Sequence, residues 1–398
     1  MSTTWNKHVF TAELPYEKDA AVTLFLRNNF KRVDDFIMSL GQMSNIPPNK
    51  LYTYINGEQI QEKIYGRSKI QAGGLRLYLF FLPSAIIRVS LDMVRALSTV
   101  NFRCDIFFAQ HFLPALIAIF LRKLKILRCK KIVFWMFDFF LVPPGFLRGL
   151  YYQGIDRVQG YIRKNVDEIW YTTPRIAEVD RQRFGPLPKG TVKRLTEGCF
   201  FQRIESQAPK AFPPLRLAFL GSLRPNNAVY ESIDCVKYCQ SQGLKVELLI
   251  IGSGPEEERM KKYVDKNNLK SSVKFYGFED RGEEIAKIFS KCHLGLALYS
   301  ADAYGPNWYL TSGKFRRFIS QGLPVITTPV PYFIKYLYDY NAGIIVDTDP
   351  ADIYRALKKI YDHPDSLQNM RKGVDRLYTE LGTNKVFQKA FDAMLNND

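Results

Sequence analysis

Ser312-Gly313-Lys314 opens a short helix-patterned stretch that Gly322 closes, ahead of a buried apolar run starting at Pro324. Serine is a common helix cap, and the free N–H groups of the first turn point outward beyond it. Lys314 then sets a full positive charge where the helix dipole is already positive, the wrong end for stability alone. An anion seated there resolves the conflict, and phosphate is the usual occupant of such an end. These three residues therefore read as a phosphate cradle.

Two loops upstream have a related character. Gly221-Ser222-Leu223-Arg224-Pro225-Asn226-Asn227 follows an apolar run. Gly221 lets a ligand approach the backbone, and Ser222 and Arg224, two apart in an extended stretch, point the same way. Arg224 can meet a phosphate with a fork of donors. Ile251-Gly252-Ser253-Gly254-Pro255-Glu256 turns tightly into a helix whose first turn is acidic. Glu257 stands where the third glycine of G-x-G-x-x-G is required, so the motif does not support a dinucleotide site. A ligand loop and a plain turn with a helix start both fit Gly252.

The first half offers fewer such groups. His111 ends an apolar run and is either a cleft residue or a satisfied strand-end histidine. Asp138, alone within Trp135-Met136-Phe137-Asp138-Phe139-Phe140, needs a partner if buried. It is a cleft residue or a structural hydrogen-bond acceptor. Asp347-Thr348-Asp349 precedes Pro350 and reads as a turn with a helix cap, so it calls for no metal.

Positioning these groups requires regular elements. Strand-like runs fall at 215–220, 246–251, 273–276, 294–299, 324–327 and 343–346, with helix-patterned segments between them. Short continuous apolar strands alternating with helices predict a parallel sheet covered on both faces. The first half repeats the theme at 7–11, 35–40, 105–109, 131–136 and 168–172, while 51–74 shows no regular pattern. The expected class is α/β, with two doubly wound Rossmann-like domains facing across a cleft. The domains are expected at 1–205 and 206–380, with an amphipathic helix in 381–398 packing back on the first. Prolines within 202–214 mark the linker.

Bulk properties narrow the partners. The 398-residue chain carries a formal charge of +17, which attracts polyanions such as nucleotide phosphates or anionic lipid. No recognised nucleic-acid module accompanies that charge, so no nucleic acid is expected. The six cysteines lack metal or disulfide spacing and read as thiols in a reducing compartment. The polar start does not resemble a signal peptide, and the apolar stretches 77–87 and 112–120 are too short to span a bilayer. The second stretch runs into Arg122, Lys123, Lys125, Arg128, Lys130 and Lys131. That pattern suits an anionic membrane surface, or a half-buried helix with a solvated basic end. The expected location is cytoplasmic, peripheral at the inner face of a membrane.

Taken in order, G-S-L-R, I-G-S-G-P-E, V-K-F-Y-G-F and S-G-K-x5-S-Q-G-L-P-V-I resemble the C-terminal half of retaining GT-B glycosyltransferases of the glycogen-synthase and mannosyltransferase kind, family 4 type. The likeness covers 215–361 and continues weakly to Cys104-Asp105-Ile106 and Ala109-Gln110-His111. It implies a metal-independent hexosyltransferase that needs no cofactor beyond a UDP- or GDP-sugar donor. Gly221, Ser222 and Gly252 would line the donor, with Gly277 and Phe278 meeting the base. Tyr304 and Gly305 would approach the sugar, and Ser312, Gly313 and Lys314 the phosphates. Tyr16, His111 and Asp138 would serve a glycan or lipid-linked acceptor, with His111 and Asp138 as catalytic candidates.

The sequence departs from the family at three places: Ser222 stands for an arginine, Asn227 for a lysine and Arg317 for a carboxylate. The lost cations carry the alternative reading, a catalytically impaired binding or partner module. A departing nucleoside diphosphate bears about two to three negative charges, and each preorganised donor to such a charge is worth ~3–4 kcal/mol. Arg224, Lys314 and one of Arg316 or Arg317 can restore the count. Those two arginines project about 100° apart on a helix, so at most one of them faces the phosphate.

Overall fold

The computed structural model describes residues 5–13, 21–39, 48–66, 82–136, 146–198, 201, 203–204, 211–299, 306–309 and 312–396. Contacts divide the chain into two units, Met1–Glu197 with Ala390–Asp398, and Gly198–Lys389. The division falls at 197/198 where sequence patterning places it at 205/206, and Pro213 and Pro214 lie in the second unit by either boundary.

The first unit begins β1 (Trp5–Glu13), α1 (Ala21–Asn29), β2 (Phe30–Ile37), β3 (Lys50–Ile55), β4 (Glu58–Ile64) and α2 (Leu82–Ser98). It continues through β5 (Arg103–Ala109), α3 (Phe112–Lys123), β6 (Arg128–Met136), α4 (Phe146–Arg163), β7 (Glu168–Tyr171), α5 (Pro174–Phe184) and β8 (Val192–Leu195). The sheet order is β4-β3-β2-β1-β5-β6-β7-β8. Growth reverses between β1 and β5, and such a topological switch point opens a crevice at the carboxyl ends of the strands.

One edge of this sheet, in the stretch 51–74 that shows no regular pattern in the sequence, is antiparallel. β2 pairs with β3, and β3 with β4, antiparallel. The hairpin turns at Asn56-Gly57, both left-handed with φ of 50° and 86°, as a two-residue Asn-Gly loop demands. Every residue of β4 is exposed. No buried face imposes an apolar alternation there, which is why the segment had looked irregular.

The second unit runs β9 (Leu215–Leu220), α6 (Val229–Ser241), β10 (Val246–Ile251), α7 (Glu257–Lys266), β11 (Val273–Gly277), α8 (Gly282–Phe289) and β12 (Leu294–Ala297). Next come α9 (Pro306–Tyr309), α10 (Gly313–Ser320), β13 (Val325–Thr327), α11 (Ile334–Tyr340) and β14 (Gly343–Ile345). Three helices follow: α12 (Pro350–Asp362), α13 (Pro364–Leu381) and α14 (Thr383–Leu395). All its strand pairs are parallel, in the order β11-β10-β9-β12-β13-β14, with the switch point between β9 and β12. Central strands such as β10 (VELLII) are almost wholly buried, as a sheet covered on both faces requires.

Phe391, near the end of α14, is a keystone of the first unit. Its ring meets Trp5, Phe25, Phe30, Phe108 and Trp170 at centroid distances of 4.8 to 6.0 Å. The amphipathic pattern of the tail thus has a physical cause, since one face of that helix completes an aromatic core.

Candidate functional site

At the second unit's switch point, three neighbouring strands end in glycines with positive φ: Gly221 at 142°, Gly252 at 144° and Gly277 at 76°. The ladder continues past the strands through them. Gly221 N–H donates to Ile251 O at 3.0 Å, and Gly252 N–H to Gly277 O at 2.7 Å. A Cβ on Gly252 would lie 1.9 Å from Gly221 O, and one on Gly254 2.4 Å from Leu223 O. The loops after β9 and β10 therefore close on each other only because side chains are absent, which leaves a bare backbone rim. For Gly252 and Gly254 the requirement is structural, whatever ligand sits on the rim.

On the other side of the switch point lies α10. Its N-cap is Ser312, yet that side chain does not cap the helix. Tyr299 Oη donates to Ser312 Oγ instead. The capping role expected of Ser312 is corrected accordingly: buried Tyr299 needed a partner and took the hydroxyl. The opening N–H groups of α10 gain no side-chain cap from Ser312. Lys314, in that same turn, is 9% exposed. Its ammonium sits 5.0 Å from the ring centre of Phe219, on β9, and 4.4 Å from that of Tyr299, just beyond β12. Nζ has no hydrogen-bond partner among the described residues. Burial pushes its pKa down from 10.5 to about 7. Aromatic faces attract a cation but do not replace the hydrogen bonds of water.

Other predicted residues are placed around this centre. Ser222 and Arg224 are exposed, and the Arg224 side chain makes no ion pair among the described residues. Asn227 donates from Nδ2 to Ser222 O at 2.7 Å, bracing the loop where the family carries a lysine. Phe278 is 59% exposed beyond Gly277. Arg316 and Arg317 are both buried, and both stack on Phe201, at 5.1 and 3.9 Å. Arg317 also passes beside Gly282, where a Cβ would come within 3.3 Å of Nη1. Asp349 caps α12 by accepting from Ala351 N–H at 3.0 Å. Tyr16, Asp138, Tyr304 and Gly305 lie outside the described residues.

The first unit presents a second cluster at its own switch point. His111 is the N-cap of α3, and Leu113 N–H donates to its Nδ1 at 3.3 Å. That bond leaves the ring hydrogen on Nε2. Burial pushes the imidazole down to about 4, so at neutral pH it is an uncharged donor. The neighbouring Gln110 donates from Nε2 to Glu13 Oε2 at 3.0 Å and to Thr11 Oγ1 at 3.1 Å. Thr23 Oγ1 also donates to Glu13, at 2.8 Å. Burial, with Asp35 nearby, pushes the Glu13 carboxyl well above its usual range. Sequence reasoning missed Glu13, whose signal was an acid ending a strand buried from Val9 onward. Tyr299 was missed as well, because it reads as one more apolar strand residue.

Residues 214–363 match the family described as glycosyl transferases group 1. Sucrose-phosphate synthase from Thermosynechococcus elongatus is similar in structure, with a TM-score of 0.67 at 14% identity, covering 99% of this chain and 100% of that one. UDP-forming α,α-trehalose-phosphate synthase from Burkholderia xenovorans gives a TM-score of 0.63 at 12% identity, covering 99% of each. The chain has the GT-B fold. Anabaena HepE in complex with UDP is also similar, with a TM-score of 0.61 at 11% identity, covering 98% of this chain and 100% of that one. No curated protein matches the chain. At these identities the structural likeness speaks to GT-B architecture. The matched stretch 214–363 contains both the glycine ladder and Lys314, and together these findings support a glycosyltransferase.

Proposed function

We propose that the chain transfers a hexose from a UDP- or GDP-sugar to a glycan or lipid-linked acceptor, with retention of anomeric configuration and without a metal. The observation that carries this reading is Lys314, buried and without a hydrogen-bond partner among the described residues, in the first turn of α10 at the β9/β12 switch point. In the reaction the bond between the anomeric carbon and the diphosphate breaks, and a glycosidic bond to the acceptor forms. Negative charge grows on the departing diphosphate, where preorganised donors have most effect. Lys314, the opening N–H groups of α10 and the exposed Arg224 supply them. They stand in for the cations replaced at Ser222 and Asn227. His111 offers Nε2–H as a neutral donor to a sugar hydroxyl. Tyr304 and Gly305 are assigned to the sugar, Tyr16 and Asp138 to the acceptor. The UDP held by the HepE structure supports a uridine donor.

The test is calorimetry with UDP and GDP, followed by nucleotide release from a panel of UDP- and GDP-sugars. Tight diphosphate binding, lost in Lys314→Met, together with slow donor hydrolysis is expected. Binding without turnover, even with membrane extract as acceptor, would establish the impaired module instead. Unchanged binding in Lys314→Met would overturn the site itself.

A further inference from the structure

The outer layer of the first unit carries a surface that the transfer chemistry does not use. Helices α2, α3 and α4 pack side by side along one face of its sheet. On the outward side of α2, Ile87 is 61% and Leu91 53% exposed. On α3 and the turn after it, Phe120 is 60%, Leu124 52% and Ile126 43% exposed, and on α4 Tyr161 is 39% exposed. Single exposed apolar residues are ordinary, but six on three adjacent helices form a patch. Lys125 adopts φ of 60°, a conformation costly for a lysine, and its two neighbours in the chain are the exposed Leu124 and Ile126.

Charge selects the occupant. Lys123 lies 4.9 Å from the centre of the Tyr161 ring, within the patch. Lys125, Arg157 and Lys164 are exposed and have no ion-pair partner among the described residues. The three helices hold two acids, Asp92 and Asp156. Asp92 is 1% exposed, and Asp156 is half-buried and paired with Arg183. Asp167, just after α4, is taken up by Arg122 of α3. Among the described residues of the three helices the outward face is thus apolar and basic. A protein partner of mixed charge would be met by complementary acids and bases. An interface rich in anionic headgroups above acyl chains needs the combination found here.

We propose that this three-helix face docks on an anionic lipid bilayer, with Phe120, Leu124 and Ile126 entering the headgroup and acyl boundary and the lysines meeting phosphates. The proposal stands apart from glycosyl transfer, though a lipid-linked acceptor would be presented at the same surface. No helix among the described residues is long and apolar enough to cross a membrane, so attachment would be at the surface.

Flotation of the purified full chain with phosphatidylcholine vesicles, and with vesicles containing 30% phosphatidylglycerol (about a third anionic, enough to set up a surface potential), tests it. Binding to the anionic vesicles that weakens with added salt is expected. Lys123→Glu with Lys164→Glu should reduce partitioning about ten-fold or more, and so should Phe120→Ser with Leu124→Ser. Both pairs alter exposed side chains, and thermal melts check that they fold. Should a pair fail to fold, the salt dependence of the unaltered chain decides the matter. Equal recovery with neutral and anionic vesicles would overturn the proposal. So would no recovery with either, or a dimer of the unaltered chain that Phe120→Ser and Leu124→Ser convert to monomer.

Discussion

The Lys314 ammonium lies 4.4 Å from the centre of the Tyr299 ring, while the hydroxyl of that same ring holds Ser312. One buried tyrosine thus fixes both the residue before α10 and the cation in its first turn. The pair gives the buried ammonium aromatic surroundings where the described residues offer no hydrogen-bond partner.

Diphosphate binding should depend on pH through Lys314. Burial holds the free ammonium at about 7, and a bound anion would raise it. Between those two values, binding takes up a proton. A terminal phosphate titrates near pH 6 and is almost fully ionised by about pH 7, so above 7 the lysine dominates. Affinity for UDP should fall about ten-fold per pH unit above 7 and stay nearly flat below it. Calorimetry in buffers of differing ionisation heat would show the proton uptake. A flat profile from pH 7 to 9 would contradict it.

The same lysine should leave a mark on stability. Its folded value of about 7 lies below the ordinary 10.5, so the unfolded chain holds the extra proton between them. Stability of the ligand-free protein should therefore rise with pH from 7 towards 10, by about 1.4 kcal/mol per unit at most. Lys314→Met should flatten that rise and raise the melting temperature at pH 7, since a buried unpaired charge gives way to an apolar chain. Saturating UDP should stabilise the unaltered protein and leave the methionine variant where it was.

His111 should have two separable roles. As the N-cap of α3 it accepts from Leu113, and His111→Ala should cost ~0.5–2 kcal/mol in denaturant melts. His111→Asn keeps an acceptor and should restore most of that loss. If Nε2–H serves a sugar hydroxyl, turnover stays low in both variants. Because burial holds the imidazole down at about 4, the deficit of both variants relative to the unaltered protein should be the same at every pH between 5 and 8. Recovery of turnover in the asparagine variant would confine His111 to capping.

What could be read beforehand followed burial. β9, β10 and β12 are enclosed on both faces, so their apolar runs were plain. β4 is exposed throughout and gave no such signal, although Asn56-Gly57 marked its turn. The start of β2 was obscured because Lys31 is exposed and Arg32 half-buried, covering the buried Phe30 and Val33. Tyr299 and Glu13 matter through partners far away in the chain, and local pattern does not encode such partners. The role first given to Ser312 failed for the same reason.

The glycine rim makes a last prediction, in which three substitutions of one kind separate by geometry. At Gly252 an added Cβ would meet Gly221 O at 1.9 Å with φ at 144°, so Gly252→Ala must push two ladder-bonded loops apart. It should cost several kcal/mol, beyond the ~1–3 of backbone strain alone. At Gly221 nothing lies within 4 Å and φ is 142°, so only the strain remains and the loss should be ~1–3 kcal/mol. At Gly313 nothing lies within 4 Å and no positive φ intervenes. Within a helix alanine is favoured over glycine by about 1 kcal/mol, so Gly313→Ala should leave the fold intact or firmer. Any loss of UDP binding in that variant would then report a methyl group standing in the ligand's place. Urea melts of all three, with UDP titrations of those that fold, give the order. A Gly252→Ala protein as stable as the unaltered chain would show that the two loops do not meet as described.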